Sequence, residues 1–72
     1  MSVQNATAFL TVFSEKPTLR TQLYVMNPRT IDDFLQYAHA KTGYAFSKQD
    51  LQAALKGFTT KSAGELKQRY SL

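Results

Sequence analysis

The sequence predicts an all-α fold, a compact bundle of three to four short helices, and three observations support this prediction. Apolar residues recur in several segments at the i, i+3, i+4, i+7 spacing of an amphipathic helix. Hydroxyl side chains followed three positions later by a carboxylate, a signature of helix N-termini, recur along the chain. No segment alternates apolar and polar residues over enough length to predict a strand.

Two helices are predicted in the first third of the chain, over residues 3–14 and 17–26. Pro17 cannot continue a helix but suits the first position of a new one, and Asn27 followed by Pro28 ends the second helix. The predicted apolar stripes comprise Val3, Ala6, Phe9, Leu10 and Phe13 in the first helix, and Leu19, Leu23 and Met26 in the second.

The third helix is predicted to begin after Thr30 and to end at Gly43. Thr30 and Asp33 form a capping box, and the Asp33 carboxylate also favours the positive end of the helix dipole. Glycine commonly ends a helix because it adopts the left-handed conformation without strain. The predicted buried stripe comprises Ile31, Phe34, Leu35 and Ala38.

The fourth helix, predicted from about residue 48 to 56, has the strongest start signal in the chain. Ser47 and Asp50 form a capping box, and Phe46 and Leu51 occupy the two positions of a hydrophobic staple. Its predicted buried stripe comprises Leu51, Ala54, Leu55 and Phe58. A fifth helix over residues 63–70 is left open, because the capping pattern recurs from Ser62 while a glycine at position 64 weakens a helix.

Length, composition and charge restrict the class of protein. A chain of 72 residues forms one small domain of modest stability. With no cysteine and one histidine, disulfide scaffolds and cysteine- or histidine-rich metal sites are excluded, and we expect no cofactor. No apolar run approaches the roughly 20 residues that span a bilayer, and the N-terminus lacks the basic start of a secretion signal, so we expect a cytoplasmic protein.

The net charge of +4 is unevenly distributed along the chain. The first 40 residues carry three basic and three acidic side chains, whereas the remaining 32 carry six and two. A basic half fits an acidic partner or nucleic acid, but a solvated surface that keeps a small protein soluble is the favoured interpretation.

The sequence contains no recognisable catalytic motif. His39 is the natural general base, but it lies off the main apolar stripe of its helix and is interpreted as a surface histidine. Asp32 and Asp33 are adjacent, so their side chains diverge on a helix and serve the helix dipole rather than acid–base chemistry. We therefore expect no enzymatic activity.

DNA binding of the helix-turn-helix type is an alternative for the third and fourth helices. The outward face of the fourth helix would offer Lys48, Gln49, Gln52 and Lys56, which suit contacts to phosphates and base edges. Against this, the connection before it is largely apolar and longer than the usual tight turn, and basic residues on the helix are few. Nucleic acid is therefore the weaker expectation.

Protein binding is favoured by the tyrosines, most of which lie off the predicted stripes. Tyrosine is enriched at binding surfaces because it combines apolar area with a polar tip. The competing interpretation is that each tyrosine covers the rim of a small core. The predicted partner-binding surface comprises Tyr24, Tyr37, Tyr44, Lys41, Lys48 and Lys56.

The ordered residues of the first four predicted helices also carry a family resemblance. Its most specific part is Gly43, Tyr44, Phe46, Ser47, Asp50 and Leu51; looser parts are Lys16, Pro17, Leu19, Arg20 and Leu23, and Asp32, Phe34, Leu35 and Ala38. Residues 3–56 resemble the Nif-eleven-like domain, a small helical family of bacteria that occurs beside nitrogen-fixation genes and as the leader region of modified peptides. The resemblance implies no catalysis and no cofactor.

The end of the sequence departs from the leader-type members of that family. Those members continue into a Gly-Gly or Gly-Ala cleavage site and a core peptide rich in Cys, Ser or Thr, whereas residues 57–72 contain neither a double glycine nor a cysteine. We therefore expect a stand-alone domain over residues 1–58 and a C-terminal extension over 59–72. The expected function is a small non-enzymatic module, a regulator or adaptor that docks on a larger protein. The alternative is a leader segment that guides a peptide-modifying enzyme.

Overall fold

Five helices make up the computed structural model, which describes residues 2–72. They are α1 (Val3–Glu15), α2 (Pro17–Met26), α3 (Ile31–Thr42), α4 (Lys48–Leu55) and α5 (Lys61–Arg69). Residues 2–72 contain no strand, which confirms the all-α prediction, and the fifth helix that the sequence left open is formed. The principal extents are 26 × 22 × 22 Å.

Helix α1 lies at the centre of the bundle. It packs most extensively against α4 and also contacts α2 and α5, while α3 packs against α4. The main partner of α1 is therefore a helix distant from it in sequence. Phe9 explains this central position, because its ring lies 5.5–5.6 Å from those of Phe13, Phe34 and Phe46, which come from three different parts of the chain.

The predicted caps set the helix boundaries. The Ser47 hydroxyl accepts a hydrogen bond from the Asp50 amide, and the Asp50 carboxylate accepts one from the Ser47 amide, both at 3.1 Å, which confirms the capping box. Thr30 makes a single N-cap bond to the Asp33 amide, at 3.1 Å, instead of the expected reciprocal pair. Gly43 ends α3 with a φ of +80°, as predicted from its place in the sequence.

Helix α5 begins earlier than its predicted start. Thr60, not Ser62, is the N-cap, and its hydroxyl accepts a hydrogen bond from the Ala63 amide at 3.2 Å. Ala63 and Leu66 lie on the buried face of α5, where they pack into the same core as α1. The two residues come from the predicted C-terminal extension, and they are 0% and 1% exposed.

Two residues of the predicted apolar stripes face solvent. Val3 is 43% exposed and Met26 is 62% exposed, whereas the other members of the stripes of α1 and α2 are buried. Both exposed residues lie at helix ends, Val3 at the start of α1 and Met26 at the end of α2. None of the helices over residues 2–72 is long and apolar enough to cross a membrane.

Candidate protein-binding surface

The last turn of α2 presents three consecutive large apolar side chains to solvent. Tyr24, Val25 and Met26 are 59%, 79% and 62% exposed, and we call them the α2 ridge. The helix ends immediately after them, because Asn27 adopts the left-handed conformation with a φ of +49° and Pro28 cannot continue the helix. Large apolar residues at this exposure are unusual in a chain whose other aromatic side chains are buried or half-buried.

One side of the α2 ridge borders a groove of about 300 Å³ between α2 and α5. Phe13, Leu23 and Leu66 line it, and each of the three is less than 5% exposed. The Tyr24 hydroxyl donates a hydrogen bond to the Glu65 carboxylate at 2.8 Å, which joins α2 to α5. That hydrogen bond and the negative charge of Glu65 raise the pKa of the Tyr24 phenol above its ordinary value.

The other side of the ridge borders a cleft against α3, of about 510 Å³. Met26 and Tyr37 both line it, but Tyr37 is only 6% exposed, so the expectation of an exposed Tyr37 is wrong. Its hydroxyl donates a hydrogen bond to the Leu19 carbonyl at 2.8 Å, and burial raises its pKa. Tyr37 thereby links α3 to α2 below the surface. Its ring covers the core, in agreement with the competing interpretation that each tyrosine covers the rim of a small core.

The connection after the ridge is held by the end of α5. The Tyr70 hydroxyl donates a hydrogen bond to the Pro28 carbonyl at 2.7 Å and accepts one from Arg69 Nε at 3.2 Å. The Arg69 guanidinium also donates to the Asn27 side-chain oxygen. Burial raises the pKa of Tyr70, and the neighbouring Arg69 opposes that shift. These bonds fix the direction in which the chain leaves α2.

Arg20 holds the opposite end of α2 in place. Its guanidinium donates to the carbonyls of Phe13 and Ser14, at 2.9 and 2.8 Å, which are among the carbonyls left free at the end of α1. A cation at a helix C-terminus also interacts favourably with the helix dipole. The sequence signal for this contact is a basic residue one turn into a helix that directly follows another.

The junction of α1 and α2 forms a groove with the end of α3, of about 270 Å³, which we call the Lys16–Lys41 groove. The lining residues are Val12, Lys16, Leu19, Lys41, Thr42 and Tyr44. Tyr44 is half-buried, and its amide donates to the Thr42 hydroxyl at 3.3 Å. The structure therefore brings the predicted Lys41 and Tyr44 together and adds Lys16, which sequence reasoning missed because it lies 25 residues before Lys41.

The two remaining predicted residues lie at the two ends of α4, a helix that packs against α1 and α3. Lys48 is exposed at the first position of α4. Lys56, just after α4, lines a polar cleft with Gln49, Gln52 and Lys67. The predicted surface is thus divided: Tyr24, Lys41 and Tyr44 border the clefts along α2, whereas the other two lysines occupy a separate part of the molecule.

Groups suited to catalysis or metal binding are sparse in the part of the chain that the structure describes. His39 lies exposed in the last turn of α3. Over residues 2–72, no three histidine, aspartate or glutamate side chains come together as metal ligands would. The chemistry that this surface offers is apolar burial, hydrogen bonding and positive charge.

A comparison with protein families tests the family resemblance that the sequence pattern indicated. Residues 1–51 match the Nif11 domain. The chain belongs to the Nif11 domain family. This is a family of small, non-catalytic domains associated with nitrogen fixation and with leader-peptide precursors. No curated protein and no solved structure matches the chain.

The Nif11 match also divides the candidate surface. It covers α1, α2, α3 and the capped start of α4, and therefore all residues of the α2 ridge and of the Lys16–Lys41 groove. Helix α5 lies outside the match. The groove against α5, with its Tyr24–Glu65 hydrogen bond, is thus built partly from residues beyond the matched domain.

Proposed function

We propose that this Nif11 domain is a non-enzymatic docking module, a regulator or adaptor that binds a larger protein through the α2 side of the bundle. The observation that supports the proposal is the exposure of the α2 ridge, at 59%, 79% and 62% for its three residues. Covering a large apolar side chain contributes roughly 1.5–3 kcal/mol. Tyrosine and methionine are also enriched in the buried centres of protein interfaces.

The clefts beside the ridge supply the shape that docking requires. The ridge projects between a groove against α5 and a cleft against α3, so a partner can surround it and exclude water. The hydrogen bonds from Tyr37 and Tyr70 hold the two ends of this region before binding, which lowers the ordering cost of association. Tyr37 serves in this proposal as a support for the surface and not as a contact.

The predicted lysines contribute in two ways. Lys41 lies with Tyr44 in the Lys16–Lys41 groove, at the other end of α2 from the ridge, where it contacts the partner directly. Lys48 and Lys56 are exposed on the α4 side, outside the contact, and attract an acidic partner over a distance. Charges outside an interface change the association rate and its dependence on salt more than the affinity.

The absence of cysteine from the sequence allows a direct test by site-specific photocrosslinking. Val25→Cys would carry a benzophenone on the ridge. Ala53→Cys would carry the same group at an exposed position of α4, away from the ridge, and serves as the control. After return of each protein to native cell extract, we expect a discrete larger adduct from position 25 that is absent from position 53. Adding Met26→Asp should abolish that adduct. Equal labelling from the two positions would contradict the proposal.

A leader or recognition segment is the second candidate, because the family is associated with leader-peptide precursors. The same ridge would then bind a peptide-modifying enzyme. Mass spectrometry of the position-25 adduct separates the two candidates, since it identifies the captured protein as a modifying enzyme or as another protein.

DNA binding is the third candidate and depends on the α4 side of the molecule. There Gln49, Gln52, Lys56 and Lys67 share one cleft. Phosphate contacts make binding fall steeply with salt. A gel shift at low salt that disappears on adding salt, and that requires Lys56 and Lys67, would support this candidate; no shift at low salt would remove it.

A further inference from the structure

The Lys16–Lys41 groove has the chemistry of a site for an acidic and apolar peptide segment. We propose that it takes such a segment of the docking partner, with one apolar side chain on Val12 and Leu19 and flanking carboxylates paired with Lys16 and Lys41. This inference rests on the proposed docking function and adds the chemical class of the segment that binds.

Charge distinguishes this groove from the other clefts along α2. Its lining contains two lysines and no acidic side chain. In the groove against α5, Arg69 is accompanied by Glu65, and in the cleft against α3, Arg29 is accompanied by Asp33. The positive charge of the Lys16–Lys41 groove is therefore not balanced within its own lining, which favours a partner segment that carries carboxylates.

The floor of the groove explains why charge alone does not describe the ligand. Three of the six lining residues are apolar, namely Val12, Leu19 and Tyr44, and we call them the floor of the groove. Val12 and Tyr44 are half-buried, and Leu19 is 9% exposed. A small anion would pair with the lysines and leave this floor in contact with water. A purely apolar segment would cover the floor and confine the two ammonium groups near it without partners.

The size of the groove suits one peptide side chain. Its volume of about 270 Å³ falls below the roughly 300–1,000 Å³ of typical small-molecule sites. One large apolar side chain with its neighbouring backbone suits this space. The two lysines come from the ends of different helices, Lys16 between α1 and α2 and Lys41 in the last turn of α3.

Hydrogen bonds between the helices hold the groove in shape. The Leu19 carbonyl accepts the Tyr37 hydroxyl bond at 2.8 Å, which joins α2 to α3 at a residue that lines the groove. Thr42 donates to the Ala38 carbonyl at 2.6 Å and accepts the Tyr44 amide at 3.3 Å, which orients the chain after α3. A groove already held in shape loses little conformational freedom when a peptide binds.

A displayed library of random twelve-residue peptides, selected on the full 72-residue protein, tests the inference. We expect the enriched peptides to combine aspartate or glutamate with leucine, isoleucine or phenylalanine. The affinity of the best one, measured by fluorescence anisotropy, should fall about tenfold in Lys16→Glu/Lys41→Glu and less in Lys16→Gln/Lys41→Gln. It should also fall with added salt.

The controls separate this inference from the docking function itself. Lys61→Glu changes an exposed lysine at the start of α5 and should leave the affinity unchanged. Both groove lysines are exposed, so circular dichroism should show an intact fold in the double variants. The inference is overturned if no peptide is enriched, if the enriched peptides lack acidic residues, or if the groove variants bind equally well.

A selected peptide could bind Met26→Asp more weakly than the unmodified protein and yet bind the groove variants as well as the unmodified protein. That result would overturn the inference and still support docking at the ridge. Conversely, if Val25→Cys alone gave no adduct beyond that of Ala53→Cys, the docking proposal would be contradicted whatever the library returns. The two experiments therefore fail independently.

Discussion

Replacing Tyr70 by phenylalanine removes one hydroxyl and leaves the aromatic packing of the core intact. The Tyr70 ring, 9% exposed, lies 5.0 Å from the Phe34 ring, and phenylalanine preserves that contact. The lost group is the buried donor to the Pro28 carbonyl at 2.7 Å. Pro28 lies in the connection between α2 and α3, outside any helix, so its carbonyl has no helical amide to replace the phenol.

The cost follows from leaving a buried carbonyl without its donor. Such a loss destabilises a protein by about 1–3 kcal/mol. A domain of this length has a free energy of unfolding of about 4–11 kcal/mol, from roughly 0.05–0.15 kcal/mol per residue. With a urea dependence of about 1 kcal/mol per molar, the unfolding midpoint should therefore fall by about 1–3 M.

Urea unfolding followed by circular dichroism measures this shift, and Tyr24→Phe is the matched control. Tyr24 also donates to a protein oxygen, Glu65 Oε2 at 2.8 Å, but it does so in an exposed position, where water replaces the lost partner. We expect Tyr24→Phe to change stability by less than about 0.5 kcal/mol. Equal urea midpoints for Tyr70→Phe and Tyr24→Phe would refute the reasoning that the buried Tyr70 hydrogen bond stabilises the packing of α5 against the rest of the bundle.

Three further predictions concern caps, glycines and pH. Ser47→Ala removes the cap of α4 and should cost about 1 kcal/mol, lowering the melting temperature by about 4–8 °C in thermal unfolding; an unchanged melting temperature would contradict it. Gly43→Ala should destabilise the protein by about 1–2 kcal/mol, because Gly43 has a φ of +80°. Gly64→Ala should stabilise it by about 0.5–1 kcal/mol, because Gly64 lies inside α5 with open space around it. Urea unfolding midpoints that move in the same direction for the two variants would contradict this pair of predictions. Burial raises the pKa of Tyr37, so its contribution to stability is complete below the ordinary value of 10.0 and is lost as pH rises through the higher folded pKa. Tyr37→Phe should therefore flatten the decline of the urea midpoint above about pH 10, and an identical decline would count against the burial of this phenol.

The helix starts and ends could be predicted well because they depend on short-range chemistry. The Ser47–Asp50 capping box, the Pro17 start and the Gly43 end each involve residues within four positions of one another. The α5 start was misplaced for a related reason. Thr60 and Ser62 both offer a hydroxyl, and in the structure the Thr60 hydroxyl accepts the hydrogen bond from the Ala63 amide.

The candidate surface could be predicted only in part, because exposure depends on residues far apart in sequence. Tyr37 and Tyr70 lie off the simple stripes but are buried, since their hydroxyls reach carbonyls 18 and 42 residues away. Met26 lies on a stripe but is exposed, since α2 ends beside it. Periodicity within one helix contains no information about where the other helices stop.

By itself, the sequence determined the all-α class, the order and most boundaries of the helices, the family pattern, and the excess of positive charge in the second half. Only the tertiary structure decided which tyrosines face solvent and which lysines meet. It placed Lys16 and Lys41 in the lining of one groove and left the α2 ridge exposed. The physical reason is that local hydrogen bonds and helical spacing act over a few residues, whereas a surface is defined by the packing of helices distant in the chain.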